Sequence, residues 1–209
     1  EGKVIHTHIH DGRAESDLVV GNALINMYSK CGELELADNI FQRMRNRNVI
    51  SWSSMIAAFA QHGHGKKVMP MLRQMKDEGV EPSQVTFKVI LLACSHAGLA
   101  DDAHCCLNSM SEVFGIKPDE EHYGCVVDLM GRLGRLDDME GLISKMPVQP
   151  SPISWLILLG ACSSQDDLWR GERAANQIFE MYPEISAPYV ILSNMYVSAG
   201  RDAAAERLL

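Results

Sequence analysis

A recurring glycine sets the ruler for this chain. Gly32, Gly63, Gly98 and Gly134 stand 31, 35 and 36 positions apart, and each lies between an apolar run and a second amphipathic run that ends in Met. The four stretches are NALINMYSKCGELELADNIFQRM (22–44), SSMIAAFAQHGHGKKVMPMLRQM (53–75), KVILLACSHAGLADDAHCCLNSM (88–110) and GCVVDLMGRLGRLDDMEGLISKM (124–146). The next match, Gly200, comes 66 positions later, which fits two units with the intervening Gly replaced by Asp166. A fixed period of this length marks a solenoid, in which each unit buries little by itself and neighbours must stack to make a continuous core.

Within a unit the apolar residues recur at helical spacing. Leu24, Ile25 and Tyr28 form such a set, as do Met55, Ile56 and Phe59, and Ile90, Leu91 and Cys94. The Gly follows about a turn later, where a helix ends in the left-handed conformation. The second run repeats the pattern with Leu36, Ala37, Ile40, Phe41 and Met44, and no alternating strand signal occurs. Pro82, Pro118 and Pro150 fall just after second helices and close their units, whereas Pro70 lies inside one and is expected to kink or weaken it. Each unit therefore reads as helix, tight turn, helix, and the fold class as all-α.

Bulk properties narrow the class. Apolar residues make up 46% and charged residues 22% of the 209, enough for a core and unlike a disordered chain. The longest nearly apolar stretch, Trp155 to Cys162, is far short of the roughly 20 residues that span a bilayer, so no membrane partner is expected. The opening EGKVIHTHIH has no signal-peptide pattern and reads as part of a longer chain. Six cysteines without C-x-x-C spacing indicate a reducing compartment, with Cys94, Cys125 and Cys162 as small core residues. Met44, Met75, Met110 and Met146 share one column and are expected to fill gaps between stacked helices.

The motifs NALINMYSKCG, VISWSSMIAAFAQHG, VTFKVILLACSHAGLADDA, GIKPD and HYGCVVDLMGRLGRLDD resemble those of plant pentatricopeptide-repeat (PPR) proteins of the PLS class, in which long, ordinary and short repeats alternate. SWLILLGAC, GERAA and YVILSNMYVSAGR resemble the E1 and E2 motifs that follow the repeats in organellar RNA-editing factors, so the chain looks like the L2-S2-E1-E2 region of one. The resemblance implies a right-handed αα-solenoid of helix-turn-helix repeats, PPR- or TPR-like. Residues 1–17 would be the tail of a long repeat, 18–48 an S-type, 49–83 a P-type, 84–119 an L-type and 120–151 an S-type repeat, 152–185 an E1-like motif and 186–209 a truncated E2-like motif.

A net charge of −8 argues at first against RNA, because phosphate contacts dominate nucleic-acid affinity. Its distribution is more favourable: 18–30, 49–61 and 84–96 contain no Asp or Glu and carry Lys30 and Lys88. A buried helix would also be free of acids. The resemblance implies that each unit reads one base of single-stranded RNA with two or three side chains. Its fifth and last residues face the base edge, and an apolar second residue sandwiches the base. The matching pairs are Asn22 with Asn48, Ser53 with Ser83, Lys88 with Asp119 and Gly124 with Ser151; the sandwich positions are Val19, Ile50, Val85 and Glu121. Asn22 with Asn48 would favour a pyrimidine, C above all, and Ser53 with Ser83 would discriminate softly. Lys88 lacks an acceptor and is a poor base reader, as suited to an ion pair with Asp119 or to a phosphate. The fourth unit, with Gly124 and Glu121, would read little. Three bases at roughly 1–3 kcal/mol of stacking each, set against an association cost of about 4–15 kcal/mol, imply weak binding by this piece alone, on the order of tens of micromolar.

No active site is expected. A zinc deaminase requires H-x-E and P-C-x-x-C, and neither occurs. His6 and His10 in HTHIH stand one turn apart, a spacing open to a metal, but the expected reading is the solvated tail of a second helix, with no metal. His104, Cys105 and Cys106 would point in different directions on a helix. No cofactor is implied. Two functions remain: an RNA adaptor for C-to-U editing in plastid or mitochondrion, and a TPR-like scaffold that docks proteins. The resemblance gives 152–209 a cytidine deaminase domain or small accessory editing factors as partners, and a homodimer across an apolar edge of the shortened last unit is a further expectation.

Overall fold

The computed structural model describes residues 17–147 and 149–208, all of them helical or in turns and connections; no strand occurs among them. Two compact bodies divide the chain between Pro118 and Asp119. The first contains α1 (Leu18–Lys30), α2 (Leu34–Arg43), α3 (Val49–Gln61), α4 (Val68–Asp77), α5 (Gln84–Ala97) and α6 (Ala100–Glu112), with a 3-10 turn, Gly65–Lys67, leading into α4. The second contains α7 (Glu120–Arg132), α8 (Leu136–Ser144), α9 (Pro152–Ser164), α10 (Leu168–Met181), α11 (Ala187–Ser198) and α12 (Asp202–Leu208). In each body consecutive helices form hairpins, and the first helix of one hairpin packs on the first helix of the next: α3 lies between α1 and α5, and α9 between α7 and α11. The architecture is an αα-solenoid.

Local chemistry sets the hairpins. The side chains of Asp17, Asn48, Ser83 and Asp119 accept backbone N–H groups at the starts of α1, α3, α5 and α7, groups that have no partner within the helix. Gly32, Gly63, Gly98, Gly134 and Gly200 follow the first helices with φ between 69° and 78°. Asp166 takes the missing place at φ 56°, the one non-glycine residue with positive φ among those described. The register read from the glycines therefore continues through the residue that replaces one.

The α3 hairpin departs from the others. Its second helix starts at Val68, because the 3-10 turn crosses α5 so closely that a Cβ on Gly65 would lie 2.5 Å from the Cβ of Ala97 and 3.2 Å from the carbonyl oxygen of Ala93. Pro70 is thereby the third residue of α4, in the first turn, where no intrahelical acceptor awaits its missing N–H. Pro70 therefore opens this helix and does not interrupt it, because the helix begins later than its apolar pattern suggests.

The core of the first body is built on Trp52, Ile25, Phe41, Met55, Ile56 and Phe87, all almost fully buried. Trp52 meets Phe41 edge-to-face at 4.8 Å. Arg47 closes this corner. It donates from Nε to the carbonyl of Phe41 (3.0 Å) and from Nη2 to that of Gln42 (3.2 Å), pairs with Glu78 (2.6 Å), and lies over the Phe41 ring at 4.6 Å. It occupies the place that Pro82, Pro118 and Pro150 hold before the other caps. Met44, Met75 and Met110 are buried as expected, whereas Met146, at the end of its unit, is half-buried. Cys94 and Cys162 are core residues; burial, with Asp102 adding, pushes the Cys94 thiol up to about 12. Cys125 is only half-buried, and Cys106 takes a core place that the spacing had not assigned to it. The tail 1–16, with His6 and His10, lies outside the described residues.

Candidate nucleic-acid interface

The two positions expected to face a base come together because of where helices begin. The last residue of a unit is the N-cap of the next first helix: Asn48, Ser83, Asp119 and Ser151 stand immediately before α3, α5, α7 and α9, all in extended backbone. The fifth residues, Asn22, Ser53, Lys88 and Gly124, lie on the second turn of α1, α3, α5 and α7. The second residues project from the first turn, and Val19, Ile50 and Val85 are 76%, 57% and 64% exposed. Large apolar side chains held this far into solvent, in one column of the repeat, are not explained by the core.

In the first unit, Asn22 Nδ2 donates to Asn48 Oδ1 at 3.5 Å. That oxygen also receives the N–H groups of Ile50 (3.1 Å) and Ser51 (3.0 Å) and lies 3.1 Å from Ser51 Oγ, so its accepting capacity is spent on the cap. The pair keeps the Asn48 Nδ2 group and Asn22 Oδ1, a buried acceptor without a partner. Turning the Asn22 amide over would set two carbonyl oxygens against each other, which fixes its orientation.

In the second unit a groove of about 410 Å³ runs between α3 and α5. Ile50 and Val85 stand on its two sides, and Ser53 and Ser83 line it with Val49, Ser54, Ala57 and Val89. Ser53 and Ser83 are joined through Thr86, which is fully buried: Thr86 Oγ1 lies 2.8 Å from Ser53 Oγ and 3.1 Å from Ser83 Oγ, and accepts the Ser83 N–H at 3.1 Å. The Thr86 N–H in turn donates to Ser83 Oγ at 3.2 Å.

Lys88 is exposed on α5 in the first body. Asp119 opens the second, where it accepts the His122 N–H at 3.2 Å and meets His122 Nδ1 at 2.5 Å. Partial burial alone would raise the Asp119 pKa, but the hydrogen bonds from the His122 side chain and backbone, with its charge, outweigh this and hold it below the usual carboxylate range. The fourth unit has a smaller cleft of about 190 Å³, lined by Glu120, Glu121, Gly124, Ser151, Ile153, Ser154 and Ile157. Ile153, 65% exposed, gives it an apolar wall on one side, and Glu121 gives it an acidic one.

Two kinds of residue escaped the sequence reading. Ser51, Thr86, His122 and Ser154 each stand three positions after a last residue and are buried, and the first three complete reciprocal caps with it. The signal was present as N-x-x-S, S-x-x-T and D-x-x-H. Ile153 was missed because it belongs to the following unit, although its column is that of Ile50 and Val85.

The second body carries different chemistry. Arg170 on α10 pairs with Asp137, Glu140 and Asp167, and Arg173 pairs with Glu140 at 2.7 Å. Arg173 also lies 4.6 Å over Trp169, which is 61% exposed. Cys106 faces the core while His104 and Cys105 face solvent, and among the described residues no three His, Cys, Asp or Glu side chains cluster as metal ligands would.

Comparison with known proteins agrees with this architecture. Residues 47–96 match the model of a PPR repeat family, and 22–49 and 121–149 match that of the PPR repeat. A mitochondrial pentatricopeptide repeat-containing protein of Arabidopsis thaliana is 40% identical over 195 residues, covering 93% of this chain and 31% of the relative. A chloroplastic Arabidopsis protein, described as a putative pentatricopeptide repeat-containing protein, is 42% identical over 200 residues, covering 96% and 37%. The chain thus spans about a third of the length of these relatives. Among solved structures, the pentatricopeptide repeat protein PPR10 from maize superposes with a TM-score of 0.79 over 99% of this chain and 33% of its own, at 17% identity. The same protein in complex with an 18-nt psaJ RNA element superposes at 0.60 over 92% and 28%, at 19% identity. The PPR domain of Arabidopsis protein-only RNase P 1, in complex with tRNA, superposes at 0.68 over 85% and 99%, at 16% identity. The chain contains pentatricopeptide repeats, matched over residues 22–96 and 121–149, and is a homologue of plant pentatricopeptide-repeat proteins.

Proposed function

We propose that this chain binds single-stranded RNA, one base per unit, as the site-recognition part of an organellar C-to-U editing factor. The observation that carries the reading is the groove between α3 and α5, with Ile50 and Val85 as exposed apolar walls and the Ser53 and Ser83 hydroxyls between them. A planar base fits such a site, stacking on the aliphatic walls, with the Ser53 and Ser83 hydroxyls as the small polar part of an otherwise apolar lining. Absence of acids from α1, α3 and α5 lessens the repulsion that a net charge of −8 imposes on phosphates. In the first unit Asn48 Nδ2 is left as a donor that suits a base acceptor such as the cytosine ring nitrogen, while Asn22, whose Oδ1 is buried, holds the Asn48 amide in place. PPR10 and the RNase P domain are bound to RNA in their structures, and the two relatives are named mitochondrial and chloroplastic, which supports a plastid or mitochondrial setting.

The test is fluorescence anisotropy of labelled single-stranded RNAs at low and moderate salt. Salt-dependent binding should weaken roughly tenfold when Asn22→Ala and Asn48→Ala are combined, mainly for RNA with C opposite that unit. Asn48→Asp keeps the capping oxygen, removes the donor and controls for folding. Failure of any RNA to bind at high micromolar protein sinks the reading.

For the second body we propose protein contact, with a cytidine deaminase domain or accessory editing factors as partners. The exposed Trp169, stacked under Arg173, favours this, since Trp and Arg dominate the energetics of protein interfaces. Trp169→Ala should abolish capture of such a partner and leave RNA binding unchanged; equal capture by the variant excludes this surface.

A further inference from the structure

We propose that Thr86 is a positioning residue for base binding: its buried hydroxyl couples Ser53 and Ser83 into one relay that offers a ligand a single donor beside an acceptor. The proposal rests on the RNA reading above and concerns the same groove. It follows from counting protons.

A hydroxyl has one proton and two lone pairs. On Thr86 Oγ1, one lone pair receives the Ser83 N–H. Its other lone pair and its proton are left for the hydroxyls of Ser53, at 2.8 Å, and Ser83, at 3.1 Å. Ser83 Oγ meanwhile accepts the Thr86 N–H. Two arrangements keep every bond. In one, Ser53 donates to Thr86 and Thr86 donates to Ser83; the Ser83 proton is then free to face the groove and Ser53 offers only lone pairs. In the other, Ser83 donates to Thr86 and Thr86 donates to Ser53; the Ser53 proton is then free and Ser83 offers its last lone pair. Presenting both protons outward breaks one bond to a buried hydroxyl, which is costly.

The groove thus holds one donor and one acceptor whose order inverts by a concerted turn of three hydroxyls. The ligand class is a planar edge with a donor next to an acceptor, in either order. Cytosine and adenine carry that pair in one order and uracil and guanine in the other, so the relay adapts to all four and the unit reads its base softly. Thr86 contributes this without touching the base. It is a positioning residue, and it belongs to the hairpin after the one that carries Ser53.

The experiment is a double-mutant cycle on RNA affinity in the 209-residue chain, titrated with oligouridylate and oligocytidylate of eight nucleotides, which present the same base to every unit. Thr86→Val keeps the shape and removes the hydroxyl; Ser53→Ala removes the first reader and leaves the α5 cap intact. Each should weaken binding roughly two- to tenfold. Combined, they should be no weaker than Thr86→Val alone, because Ser53 acts through Thr86. Thr86→Ser should restore wild-type affinity for both oligomers and, by keeping the cap, shows that loss in the Val variant is not misfolding. Multiplying losses in the double variant, or wild-type affinity in Thr86→Val, overturns the relay while RNA binding stands. Absence of binding by the wild type overturns both.

Discussion

Replacing Arg47 with Ala should cost the first body far more than loss of a surface ion pair. The guanidinium donates to two carbonyls at the end of α2, those of Phe41 and Gln42, and shields the Phe41 face, while its side chain is 14% exposed. Two hydrogen bonds from a charged donor at about 1.5 kcal/mol each, and a cation–π contact of about 0.5–1 kcal/mol, set the gross loss. The ion pair with Glu78 adds at most about 0.5 kcal/mol, since Glu78 is one-third exposed. Regained side-chain freedom offsets roughly 1.5–2 kcal/mol. A net loss of about 1.5–3 kcal/mol remains, a large part of a stability near 5–15 kcal/mol. Urea unfolding followed by helical circular dichroism reads it. Arg47→Lys should lose about half as much, because an ammonium cannot reach both carbonyls as a planar fork does. Glu78→Gln should lose under about 1 kcal/mol. If Arg47→Ala costs no more than Glu78→Gln, Arg47 is merely an ion-pair partner and closure of α2 through its carbonyls is refuted.

Three further outcomes are expected. Gly65→Ala should destabilise the chain by about 1–3 kcal/mol in the same assay, because the new Cβ meets the Ala97 methyl and the Ala93 backbone oxygen, neither of which can swing away; a neutral result would mean that α4 and α5 separate easily. Asp166→Gly should stabilise by about 0.5–1 kcal/mol and Asp166→Ala should not, since only Gly takes φ 56° without strain. Asp119→Asn should lower the melting temperature at neutral pH, and its difference from wild type should shrink below about pH 4: a carboxyl with a depressed folded-state pKa stabilises above its unfolded value and loses that contribution as pH falls through the folded one. A difference that ignores pH would show that only the capping oxygen matters.

The hairpin register was readable from glycine spacing because backbone sterics leave the left-handed turn so few alternatives. Asp166 was readable for the same reason: the turn persists, and Asp tolerates it better than most residues. Pro70 was misread because the start of α4 is set by the approach of Gly65 to α5, a tertiary contact that no local pattern announces. Cys125 and Cys106 exchanged roles because a turn of helix offers several half-apolar faces and only packing selects among them. At the candidate interface, the positions were legible and their hydrogen bonding was not. Whether Asn48 keeps its oxygen or its amide for a ligand depends on the cap, and Thr86 lies in a different unit from the serine it holds.

The cap has a consequence for exchange of repeats. Because Asn48, Ser83 and Asp119 each finish one unit while being held by a residue three positions into the next, the natural joint between modules is not at the sequence boundary. A graft that cuts after Ser83 would carry the serine away from Thr86 and leave it to whatever polar group the new neighbour supplies. Cutting after Thr86 would transplant the cap whole. In a chain of this design the interchangeable cassette is offset from the repeat by three residues.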